Sequence, residues 1–105
     1  MAWFYLLIAG VLEIVWAAGL KQLQSAGSIG LGLLTGLAML ASLGFLAVAM
    51  RSLPLGTAYA VWTGIGTLGA FLIGIVLLHE PVNAMRVGAA LLIVSGLMLM
   101  KFSDA

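Results

Sequence analysis

The chain has 105 residues, of which 65% are hydrophobic and 7% are charged. Soluble domains carry roughly 25% charged residues, so this composition excludes a soluble globular protein and describes a membrane protein. The net charge of +1 rests on too few groups to argue for nucleic acid, and the absence of cysteine excludes disulfides and thiolate metal sites.

In chain order, the first apolar run extends from Ala2 to Leu20 and predicts a membrane-spanning helix over about 2–20. It has no basic leader and a glutamate interrupts it, so it reads as a span rather than a cleaved signal peptide. Lys21, Gln22, Gln24, Ser25, Gly27 and Ser28 follow as a polar turn. The second span is predicted over about 29–50 and ends at Arg51-Ser52. Leu53-Pro54-Leu55-Gly56 connects it to the third, over about 57–78, and Pro54 suits a first helical turn. His79-Glu80-Pro81-Val82-Asn83 closes the third span, and the fourth runs over about 84–100 to Lys101. The expected fold is an all-α integral membrane protein: one domain, 1–105, of four transmembrane helices joined by short loops.

Four spans place Arg51 and Lys101 on the side of both termini and Lys21 and Arg86 on the other. The positive-inside rule then gives no net instruction, and the chain is expected to insert in both orientations. Two oppositely inserted copies form an antiparallel dimer, with the in-plane two-fold symmetry that inverted-repeat transporters achieve within one chain. Four short helices are also too few to enclose a gated path alone. An antiparallel, dual-topology homodimer is therefore expected.

Glu13 is the residue around which the rest is organised. At about 1.5 Å per helical residue it lies roughly 16 Å into the first span, near the middle of a hydrocarbon core about 30 Å thick. A carboxylate there costs at least ~2.5 kcal/mol on the lenient insertion scales, and such residues mark ion or proton paths. No basic residue lies at similar depth to pair with it. Ala9, Gly10, Trp16 and Ala17 share its helix face. In the second span Ala38, Ala41, Ser42, Phe45 and Ala49 form a face with Ser42 as its polar member. In the third, Tyr59, Trp62, Thr63 and Gly66 form the next richest hydrogen-bonding face. Gly64 and Gly66 read either as close packing or as a bend that changes when the site switches sides. The fourth span carries Ala89, Ser95 and Gly96, small residues suited to dimer packing.

A proton and a cation are alternative ways to neutralise a carboxylate at that depth, so the two compete. If the empty site cannot switch sides, competition alone gives exchange. The cation is expected to be organic, because a bare metal ion needs several oxygen ligands, whereas the wall offers the indoles of Trp16 and Trp62, which attract weakly hydrated cations. Ser42 and Tyr59 are placed to hydrogen-bond the carboxylate. A guanidinium offers paired N–H donors and a flat face; a quaternary ammonium uses charge and aromatic contact only. Composition does not choose between them.

Over its whole length the chain resembles the small multidrug resistance family, in its length, its four helices, Glu13, and the run Leu53-Pro54-Leu55-Gly56-Thr57-Ala58-Tyr59-Ala60-Val61-Trp62-Thr63-Gly64. Trp16, Met39 and Thr63-Gly64 resemble the guanidinium-exporting branch, where the polyaromatic-drug branch has a small residue, a tyrosine, and serine or alanine before glycine. The resemblance implies that Glu13 binds guanidinium and protons, that Ser42 and Trp62 contact or position carboxylate and substrate, that Tyr59 hydrogen-bonds the site and that Trp16 lines it. It further implies proton-coupled antiport, a homodimer, a bacterial inner-membrane location and some tolerance of small substituted or quaternary cations. No cofactor, metal or enzymatic role is expected. No nucleotide-binding motif is present, which disfavours an ATP-driven pump. The competing functions are a broad quaternary ammonium exporter, a non-transporting membrane subunit and, more weakly, a passive cation channel. Trp3, Tyr5 and Phe102 read as interface anchors, His79 and Glu80 as a solvated loop, and Lys101 as a side chain reaching the head groups.

Overall fold

The computed structural model describes residues 1–25 and 27–103. Its elements are α1 (Ala2–Ser25), α2 (Ile29–Ala49), α3 (Leu55–Val76) and α4 (Ala84–Ser103). All four are long and apolar enough to cross a membrane, and the chain is a multi-pass membrane protein.

The helix limits differ from the sequence reading chiefly at the end of α1, at both ends of α3 and at the end of α4. α1 continues to Ser25 because Lys21, Gln22, Leu23 and Gln24 are serviceable helix formers that extend the helix beyond its apolar run. α2 starts where Ser28 caps it, the hydroxyl accepting from the Leu31 N–H at 3.0 Å. α3 begins directly after Pro54, which stands at the N-cap with an extended backbone rather than inside the first turn. It stops at Val76 because the N–H groups of Leu77 and Leu78 both return to the Ile73 carbonyl, at 2.9 and 3.3 Å. His79 then adopts φ 57°, the left-handed region that side-chain-bearing residues rarely occupy. That reversal lets the Glu80 N–H bond the Gly74 carbonyl at 2.9 Å. α4 runs past Lys101, which lies in its last turn where a cation complements the helix dipole.

The helices follow the order α2, α1, α3, α4, with α1 and α3 in the middle and α2 also touching α3. The protomer measures 43 × 35 × 16 Å. The slab is thus less than half as thick as it is wide. The core is correspondingly small: Leu6, Ala9, Leu46, Ala49, Ala58, Val61 and Trp62. No residue of α4 is buried. The helices approach through missing side chains. Ile65 of α3 fills the space beside Gly10 of α1, and Ile14 of α1 fills that beside Gly69 of α3; a β-carbon at either glycine would collide with its neighbour. Gly64 admits Leu97 of α4 in the same way.

The two ends of the slab are chemically distinct. At the terminal end, the Lys101 ammonium lies 4.6 Å from the centroid of the Trp3 ring, which ties the end of α4 to the start of α1. At the other end, Lys21 and Arg86 line a common cleft with Glu80.

Candidate functional site

Ser42 is fully buried and ties three helices together. Its hydroxyl donates to the Ala9 carbonyl of α1 at 2.7 Å and accepts from the Trp62 indole N–H of α3 at 3.0 Å. The Trp62 ring is thereby held in the core with Leu6, Ala58 and Val61. Both bonds lie within a segment that has no water to replace them, so their loss is expensive. Ser42→Ala leaves a buried carbonyl and a buried indole N–H without this partner. We expect it to destabilise the protein by about 1–3 kcal/mol, read by SDS-induced unfolding, and to loosen the Trp62 ring, read by a shift and broadening of its indole ¹⁵N resonance.

Glu13 lies one turn above Ala9 on the same helix face, half-buried. Its carboxylate rests on Gly66 of α3, where a β-carbon would meet Oε1 and Cδ. Two side-chain polar atoms among the described residues are buried without a hydrogen-bond partner: Glu13 Oε1 and Trp16 Nε1. An acceptor and a donor are thus left unsatisfied one helical turn apart, inside a membrane span, where native structures leave few such groups. Both belong to residues that the sequence singles out.

The other expected site residues divide. Ser42 and Trp62 pair with each other, and Ser42 bonds the α1 backbone rather than the Glu13 carboxylate or its own helix. Tyr59 is 52% exposed. Its ring leans on Trp62 with centroids 5.4 Å apart at 55°, and its hydroxyl has no partner among the described residues. Thr63 turns its hydroxyl back to the carbonyls of Tyr59 and Ala60, at 2.9 and 3.2 Å, so it does not donate into the site. Gly64 and Gly66 lie in an unbroken α3, each pressed by a side chain of a neighbouring helix. On α2, Ala38, Ser42 and Ala49 are buried and Phe45 is half-buried, but Ala41 faces outward and Thr35 takes an inner place against Gly19. On α4, Ala89, Ser95 and Gly96 are all exposed. The Ala9 carbonyl is the participant that the sequence did not reveal, since every residue carries one.

Fold and site together define a small multi-pass membrane protein with a partnerless carboxylate inside a helix bundle. The family model described as Small Multidrug Resistance protein matches residues 1–94. The chain is 52% identical over 103 residues to a protein of Escherichia coli (strain K12) named Guanidinium exporter, covering 98% of each chain. It is 48% identical over 104 residues to a Guanidinium exporter of Yersinia pestis, covering 99% of this chain and all of the other. A Citrobacter freundii protein of the same name is 48% identical over 103 residues, covering 98% of each. The chain belongs to the Small Multidrug Resistance family, as its residues led us to expect.

Proposed function

We propose that this protein is a proton-coupled antiporter that exports guanidinium across the bacterial inner membrane as an antiparallel, dual-topology homodimer. The observation that carries this reading is the buried, unpartnered Glu13 carboxylate oxygen within a membrane span. Relatives named Guanidinium exporter supply the substrate. Guanidinium presents paired N–H donors to a carboxylate and a flat face to indole rings. Trp16 and Trp62 are the rings of this site, and Ser42 positions Trp62.

Coupling follows from the cost of an empty charge. An ionised, unpaired carboxylate at mid-membrane costs at least ~2.5 kcal/mol. A site neutralised by a proton or by guanidinium escapes that cost and switches sides more readily than an empty one. Alternation between the two loads is exchange. Glu13 as a whole is only half-buried in one protomer, which supports a second copy. The exposed face of α4, with Ala89, Ser95 and Gly96, is the pairing surface in this reading, and a bend at Gly64 and Gly66 accompanies switching.

Uptake into proteoliposomes tests it. With an imposed pH gradient, guanidinium should accumulate above its equilibrium level, and it should outcompete tetraphenylphosphonium. Accumulation of the quaternary cation alone would make the protein a broad quaternary ammonium exporter. Flux that no proton gradient drives uphill would make it a channel. No flux from folded protein would make it a non-transporting subunit.

A further inference from the structure

We propose that the cleft at the end of the slab away from the termini carries a peripheral guanidinium-binding site, built from Glu80 and the Phe71 ring, which in this structure hold the chain's own Arg86. The inference rests on guanidinium being the substrate. The Arg86 guanidinium carbon lies 5.3 Å from the Phe71 ring centroid, and Nη2 lies 4.0 Å from Glu80 Oε1. A carboxylate beside an aromatic face is the pairing that recognises a planar guanidinium, whether tethered or free.

The carboxylate is held in place rather than left to wander. His79 reverses the chain at φ 57°, and the Glu80 N–H bonds the Gly74 carbonyl at 2.9 Å. The Glu80 carboxyl group then rests on Gly74, where a β-carbon would collide with it. Glu13 is seated in the same manner on Gly66. The two acidic residues among the described residues therefore use one device twice on α3, eight positions and about 12 Å apart along the axis. The cleft beside Glu80 has a volume of about 390 Å³. Ala17, one turn beyond Glu13, Thr67, next to Gly66, and Ala70 line it with small side chains.

Arg86 is a displaceable occupant. Its backbone is fixed, with the N–H donating to Asn83 Oδ1 at 2.9 Å. The side-chain pair is 40% exposed on both partners, so solvent screens it and the bond is weak. Lys21 lines the same cleft, and its charge prevents tight retention of a second cation.

The test uses full-length Glu13→Gln protein in lipid bicelles, so that the central carboxylate takes no part. The Phe71 ring is isotopically labelled, and guanidinium chloride is titrated against sodium chloride at matched ionic strength. We expect a saturable Phe71 shift with guanidinium and none with sodium. Adding Arg86→Gln should tighten saturation several-fold by removing the tethered competitor, a gain that misfolding cannot produce. Adding Glu80→Gln should abolish the shift while the helical circular dichroism is retained. A shift that is absent, that sodium reproduces, or that Arg86→Gln weakens would overturn the proposal. Wild-type transport is scored separately. If gradient-driven guanidinium exchange fails while Phe71 still binds, the transport reading falls and this site stands; the reverse outcome removes only this site.

Discussion

Glu13→Gln is expected to abolish gradient-driven guanidinium accumulation while leaving the protein folded. Glutamine is nearly isosteric and buries no charge, so the contact with Gly66 and the α1–α3 packing survive. What disappears is the negative charge that both loads neutralise. A cation in the bilayer centre without its counter-charge costs at least ~2.5 kcal/mol, which corresponds to roughly 70-fold in affinity. The amide also does not titrate, so residual binding cannot be coupled to the gradient. Uptake by variant and wild type in matched proteoliposomes reads the loss of coupling, and equilibrium binding reads the loss of affinity.

Gly66→Ala is expected to weaken guanidinium binding by about tenfold or more, equivalent to ~1.4 kcal/mol. The added methyl meets Glu13 Oε1 and Cδ, so the carboxylate must leave its seat on α3. Helix propensity acts in the opposite direction, since alanine in a helix is favoured over glycine by roughly 1 kcal/mol. The variant should therefore fold, and its defect should lie in the site. Gly36→Ala is the control, because nothing lies within 4 Å of the added carbon there. The same comparison separates the two readings of Gly66. Loss of binding marks a seat for the carboxylate. Normal binding with slow turnover marks a bend needed for switching.

Much of this was legible in the residues. Four spans follow from apolar run length, and Glu13 stands out because a charge at that depth has no cheap explanation. Trp16 follows from its spacing on the same face, and its buried indole N–H shares with Glu13 the distinction of lacking a partner. The hydrogen-bond partners were not legible. Its helix face places Ser42 where it can hydrogen-bond the carboxylate, whereas its hydroxyl goes to the Ala9 carbonyl. Backbone acceptors occur at every position, so only the approach of two helices selects one. Tyr59 shares a helical stripe with Trp62, yet the stripe is wider than the contact. Trp62 turns inward and Tyr59 remains at the edge. The glycines of α3 were legible as small but not as seats, because a seat is defined by the opposing side chain, Glu13 for Gly66 and Leu97 for Gly64. The end of α1 depended on helix propensity and that of α3 on local hydrogen bonding rather than on apolar length, which is why α1 outran its hydrophobic stretch.

The central claim is that one carboxylate serves both proton and cation, and proton release on binding tests it most directly. Guanidinium is added to weakly buffered protein across a pH series, and the protons appearing in solution are counted against the cation bound. Competition at Glu13 predicts release wherever the carboxyl group is protonated before binding. The release should fade as pH rises and the group is already ionised, and it should be absent in Glu13→Gln. Guanidinium binding that releases no protons at any pH in the wild-type protein would contradict the account.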